Sequence, residues 1–144
     1  MGRLPFILIF LMAAMSLVAC RVSLSSPQPA PATDLVTFID SLRASGASVE
    51  LGDAVDQPFF SVTGKTIILN GEDVQVFQYL DVATAKAQAA LVALDGNTIG
   101  TSKPIWMEPP HFFRQGKLLV LYIGSNDQVL KMLTTVLGRQ FAGN

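Results

Sequence analysis

Few residues in this chain of 144 are of a type that does covalent chemistry, and their scarcity narrows what chemistry is open. There is one cysteine, Cys20, and one histidine, His111. A Ser-His-Asp or Cys-His site would have to use His111 as its base. Its flanks, Pro110 and Phe112, put it at the start of an apolar strand, where a structural role is expected. Zinc wants three or four ligands at short spacing; one histidine without a second cysteine does not supply them, so neither metal nor cofactor is expected. Carboxylates come in two close groups, Asp53 with Asp56 and Glu72 with Asp73. Glycoside hydrolysis needs two carboxylates opposed across a cleft, whereas Glu72 and Asp73 follow directly on Asn70-Gly71, where acids are ordinary solvated turn residues. The steps Gly64-Lys65 and Gly116-Lys117 lack the earlier glycine and the following helix of a phosphate-binding loop, and both run into strands as turns. A cleft joining Glu108 and His111 to Asp53 or Asp56 is the arrangement that would make this chain an enzyme.

Cys20 stands at a boundary. The first five residues carry one charge, Arg3, and Phe6 to Val18 then run FILIFLMAAMSLV without charge, amide or glycine. That pattern is a secretory n-region and h-region. Its length of about 13 residues is short of the roughly 20 that span a bilayer as a helix, so a cleaved signal over 1–19 is expected. Leu17-Val18-Ala19-Cys20 resembles the lipobox of bacterial lipoproteins. The resemblance implies that Cys20 becomes the first mature residue, that its thiol takes a diacylglyceryl group, and that its new amino group can take a further acyl chain such as palmitate. No other cysteine competes for a disulfide or a metal. Arg21 follows, not the Asp that resembles an inner-membrane retention signal. Localisation is therefore expected to be extracytoplasmic, on the cell membrane or on an outer membrane where the host has one.

From Arg21 to Thr33 the chain reads RVSLSSPQPAPAT, with Pro27, Pro29 and Pro31 alternating. Such a segment disfavours helix and stays extended at about 3.1 Å per residue, so it would act as a tether of up to roughly 40 Å. Loss of 1–19 removes Arg3 and no acid, leaving nine Lys and Arg against eleven Asp and Glu. Phosphate binding needs a concentrated positive excess, so a nucleic-acid partner is excluded. Residues 34–144 suffice for one domain.

Within that domain, Leu35, Phe38, Ile39 and Leu42 have helical spacing after Thr33 or Asp34 as cap, with Gly46 as stop, which predicts a helix over 34–45. ASVELGDAV reads as a short strand. QPFFSVTGKTIILNGEDVQVFQYLD reads as two strands joined at Asn70-Gly71, the strongest short hairpin signal, because both residues tolerate positive φ. An Ala-rich helix is predicted from Val82 to Gly96. PIWME is a possible strand, PPHFFRQGKLLVLYIG holds strands, and SNDQVLKMLTTVLG is a helix capped by Ser125 or Asn126. The fold class is α+β: one antiparallel sheet of five or six strands with three helices packed on it. PFFSVTGKTIIL (58–69) and PHFFRQGKLLVL (110–121) look alike and allow an internal αβββ pseudo-repeat with the helices on one side of the sheet.

Aromatic residues are the remaining candidates. Neighbours along a strand point to opposite faces, so one ring of each pair, Phe59-Phe60 and Phe112-Phe113, would be core. If the others gathered with Trp106 and Tyr122 on an uncovered face, they would make an apolar binding patch; otherwise the helices or the loop 97–103 bury them. The run QPFFSVTGKTIILNGEDVQVFQYLD, PPHFFRQGKLLVLYIG and the ending LGRQFAG resemble a group of small bacterial lipoproteins or secreted proteins of unassigned function, over nearly all of 34–143. That resemblance implies a single domain and no catalytic residues. Three functions remain open: a tethered binding or accessory module for an envelope protein or a small apolar ligand, a small enzyme near Glu108 and His111, or a structural envelope component.

Overall fold

The computed structural model describes residues 31–144; the signal segment expected over 1–19, the lipidation expected at Cys20 and most of the expected tether lie outside the described residues. Helix α1, Leu35–Ala44, begins where Asp34 takes an extended backbone and its carboxylate accepts from the Thr37 amide at 2.9 Å. The Asp34 amide donates back to the Thr37 hydroxyl at 3.2 Å, a capping box with threonine in place of the usual Glu or Gln. Phe38, Ile39 and Leu42 form its buried face. The tether is docked at its end, because Ala32 is fully buried and the Thr33 carbonyl accepts from the Lys117 amide at 3.1 Å.

Strands β1 (Val49–Val55), β2 (Gly64–Leu69) and β3 (Glu72–Gln78) follow as an antiparallel meander. The β2-β3 turn uses Asn70 at φ 50° and Gly71 at φ 88°, the positive values a type I′ turn requires. β1 lies at one edge of the sheet, and its register shifts between Leu51 and Ala54. Bulges and charges of this kind protect an edge from pairing with a second chain.

Helix α2, Val82–Ala89, is capped by Asp81 as α1 is by Asp34. It stops well before Gly96: the Leu91 and Val92 amides donate three residues back, to the Gln88 and Ala89 carbonyls, and the Ala93 amide turns to the Thr98 carbonyl. Val92 then bridges to Ile99. The reason is burial, since this turn puts Val92 and Ile99 into the core, which two further helical turns would not. PIWME is not a strand. Its Trp106 indole N–H donates to the Gly96 carbonyl at 2.9 Å, and that bond ties the loop 90–109 together.

β4 (Pro110–Gln115) and β5 (Leu118–Ile123) form a hairpin, α3 (Asp127–Leu137) follows, and a two-residue β6 (Ala142–Gly143) pairs with β4. The sheet is antiparallel throughout, in the order β1-β2-β3-β5-β4-β6. One α+β domain with three helices on a six-stranded sheet is therefore the architecture.

The helices are not on one side. α1 and α3 cover one face, over Ile67, Val74, Val76, Phe113 and Val120. α2 and the loop after it cover the other, over Phe77, Phe112, Leu119 and Leu121. β5 is buried on both faces, which is why LLVLYI is continuously apolar instead of alternating. The two similar sequence segments also differ in structure. Phe59-Phe60 lie in the loop before β2, and Phe112-Phe113 lie within β4, so the likeness is one of hairpin and turn chemistry and not of matching elements.

Tyr79, directly after β3, is buried beneath α2, and burial pushes its hydroxyl up to about 12 from an ordinary 10. Because the folded value is raised, the stabilisation tied to the neutral phenol is full below pH 10 and is lost as pH rises through 10 toward 12. Denaturant titrations at about pH 9 and about pH 11.5 are expected to show a larger loss for the natural chain than for Tyr79→Phe.

Candidate functional site

The described residues with the densest polar contacts outside the caps meet at one end of the sheet. Glu72 opens β3 directly after the Asn70-Gly71 turn, and Tyr122 lies near the end of β5. Val74 is the register partner of Tyr122, and Glu72, two residues earlier, shares the face of Val74. The Tyr122 hydroxyl therefore reaches Glu72 diagonally across the strands, donating to Oε2 at 3.4 Å. It also accepts from the Asn126 amide at 3.2 Å. Asn126 is the cap of α3, its side-chain oxygen taking the Gln128 and Val129 amides, and its Nδ2 lies 3.5 Å from Glu72 Oε1. Ser125 donates to Glu108 Oε2 at 3.3 Å. These residues with Ile123 and Gly124 line an open cleft of about 360 Å³. Gly124 has no room for a Cβ, which would meet the Tyr122 hydroxyl.

His111 sits behind this cleft. It is the register partner of Tyr122, so the two rings stack, at 6.0 Å and 22°. Nε2 donates to the Gly124 carbonyl at 3.0 Å, and Nδ1 lies 2.8 Å from the Gln140 side-chain oxygen. Buried and held at both nitrogens, the ring cannot serve as a base for a hydroxyl in the cleft. It joins the β5-α3 turn to the segment entering β6, which is a structural task.

Burial pushes the Tyr122 hydroxyl upward, and the nearby Glu72 and Glu108 charges push it the same way. It is a neutral donor and not a phenolate. Two carboxylates, a phenol and a serine hydroxyl make a surface that accepts hydrogen bonds and attracts positive charge. Among the described residues no group of three His, Cys, Asp or Glu could hold a metal ion, and no helix is long and apolar enough to cross a membrane.

The residues expected from the sequence fall in different places. Asp53 lies in the edge strand β1 and Asp56 just after it, with β2, β3 and β5 between β1 and β4, so neither joins Glu108 and His111. The six aromatic candidates do not gather on an open face. Phe113 and Tyr122 are buried under α1 and α3, while Phe60 and Phe112 are buried on the opposite side, with the partly buried Phe59 and Trp106 packed against them. Phe59 meets Phe60 edge-on at 4.9 Å and Trp106 at 6.0 Å. Glu72 was legible only as a turn acid; its tie to Tyr122 depends on β3 pairing with β5, some fifty residues on.

What the surface does expose near the cleft is aliphatic. Ile105 and Met107 flank Trp106 and are each 94% exposed, and Leu94 lies open in the turn whose Gly96 carbonyl Trp106 holds. Met107 adjoins Glu108, so at least one exposed apolar side chain stands beside the acidic cleft. A second hollow of about 430 Å³ beside α3, lined by Ser45, Gln128, Lys131, Met132 and Thr135, holds none of the residues singled out above.

Removing the phenol tests the network. Tyr122→Phe leaves the Asn126 amide without its acceptor and Glu72 Oε2 without its donor, so a stability loss of about 1–2 kcal/mol is expected. Faster hydrogen exchange at the Asn126 amide in the variant would confirm that the contact is made in solution. Compared with family models, with curated proteins and with solved structures, the chain matches none.

Proposed function

We propose that this chain is a lipid-anchored extracytoplasmic module that binds an envelope protein, and that the cleft end of its sheet is the binding end. The observation supporting this reading is the bond that fixes Thr33 to one end of the sheet. Thr33 is bonded to Lys117, just before β5, while the cleft residues Gly124 to Asn126 follow the other end of the same strand. Six residues of strand separate the two ends by about 20 Å. A chain held by lipid on Cys20 approaches the domain from the Lys117 end, so the cleft is presented away from the anchor. The partner that fits offers a cationic or amide donor to Glu72 and Glu108 and an aliphatic side chain to Leu94, Ile105 and Met107.

The test is a photo-cross-linking residue placed in cells at Ser125 or Met107 of the full chain, with the same group at Asp53 as control. One protein captured at both cleft positions, and neither at Asp53 nor from a Cys20→Ser chain, is the expected result. Equal capture from Asp53 would contradict the reading.

A further inference from the structure

We propose that the opposite end of the domain, where the tether enters, rests on the lipid surface itself through Val36, Leu80 and Val82. This rests on the reading of Cys20 as a lipid anchor. Both α1 and α2 begin at that end, on opposite faces of the sheet, each with an Asp-x-x-Thr cap: Asp34 to Thr37 and Asp81 to Thr84. The turn carrying Lys117 lies between them. Its amide donates to the Thr33 carbonyl and its carbonyl accepts from the Tyr79 amide, and the Leu35 amide donates to the Gln78 side chain at 2.8 Å. The first turns of the two helices are thereby held around the point where the tether arrives.

Three aliphatic side chains project from this end: Leu80 is 88% exposed, Val36 68% and Val82 50%. Leu80 has a ready intramolecular use that the fold declines. An apolar residue just before a helix cap ordinarily packs on the fourth helical residue, here Ala85, yet Leu80 stays open while Ala85 is buried by other groups. The charges at this end indicate which surface fits. Hydrogen bonds from Thr37 and Thr84 hold the Asp34 and Asp81 carboxyls below their ordinary range, and Lys117 acts on both in the same direction. Two carboxylates beside one ammonium match zwitterionic headgroups, with ethanolamine ammonium facing Asp34 and Asp81 and lipid phosphate facing Lys117. The stretch from Arg21 to Pro31 spans about 35 Å as a Pro-rich extended chain, so the anchor keeps this end at high effective concentration near the bilayer and a small apolar contact suffices.

The test uses the full lipidated chain in phosphatidylethanolamine–phosphatidylcholine vesicles that carry a quencher on the acyl chains. With Cys20 acylated, Leu80→Cys or Ile105→Cys supplies a single thiol for an environment-sensitive fluorophore, and both positions are exposed enough to leave the fold intact. Quenching at position 80 is expected to exceed that at 105 by roughly twofold or more, as shallow interfacial burial requires. If mass spectrometry shows Cys20 acylated and the vesicles hold the protein, but the two positions are quenched alike or 105 more strongly, the seating is overturned and the anchor stands. A Cys20 without acyl chains overturns the anchor and the seating together.

Discussion

On the proposal that Cys20 carries the lipid, a Cys20→Ser chain is expected to give no acylated N-terminal peptide at all. The thiol is the only sulfur nucleophile in the sequence, and a serine hydroxyl is far less nucleophilic than a thiolate at neutral pH. Lipid attachment therefore has no second place to go. The energetic consequence is large: each buried methylene contributes about 0.8 kcal/mol, and one chain alone binds only marginally, so removing two or three chains abolishes stable anchoring. If the proposed signal segment stays uncleaved in the variant, Phe6 to Val18 remain attached, and their apolar surface can hold the variant to membranes. For that reason the mass of the N-terminal peptide is the decisive readout and membrane partition is secondary. A natural chain with a free thiol at Cys20, or an acylated peptide from the serine variant, would contradict the expectation.

The second large effect lies in the core. Phe77 in β3 is fully buried, its ring 4.7 Å from that of Phe60. It also lies against β2, where a Cβ on Gly64 would come within 2.6 Å of it. Phe77→Ala removes that ring from a layer walled by Tyr79, Leu119 and Leu121, which backbone strands prevent from collapsing. A loss of about 3–5 kcal/mol is expected, seen as a fall in melting temperature of roughly 10–20 °C for a domain of this size. Ile105→Ala, at a site almost wholly open to water, is expected to stay within about 0.5 kcal/mol of the natural chain. A Phe77→Ala protein as stable as Ile105→Ala would mean that the α2 side of the sheet is not a packed layer.

Much of the local structure was legible because its causes are local. Asp34 and Thr37 close α1 between them, Asn126 caps α3, and Asn70-Gly71 turns β2 into β3, each through contacts within a few residues. Where the expectation missed, distant residues decided. α2 ends at Ala89 because Val92 and Ile99 are drawn into the core. Trp106 turns into a loop because Gly96 offers a carbonyl. β6 exists because Gly143, with φ 97° and the Pro110 carbonyl pressed where a Cβ would stand, can lie beside β4. The cleft was the least legible feature, since Glu72, Glu108 and Tyr122 each stand out in the sequence for a different reason and come from three separate segments that only the fold brings together.

The sequence by itself determined the α+β class, the caps, the central hairpin and the apolar identity of β5, all properties of neighbouring residues and their periodicity. Only the tertiary structure decided which face each helix covers, that the aromatic pairs are divided between two cores, and that the acidic cleft stands at the end opposite Thr33. Those outcomes depend on which strands pair, β3 with β5 and β4 with β6. Pairing between distant strands is set by how the whole apolar surface can be buried at once, a condition that no single stretch of residues carries.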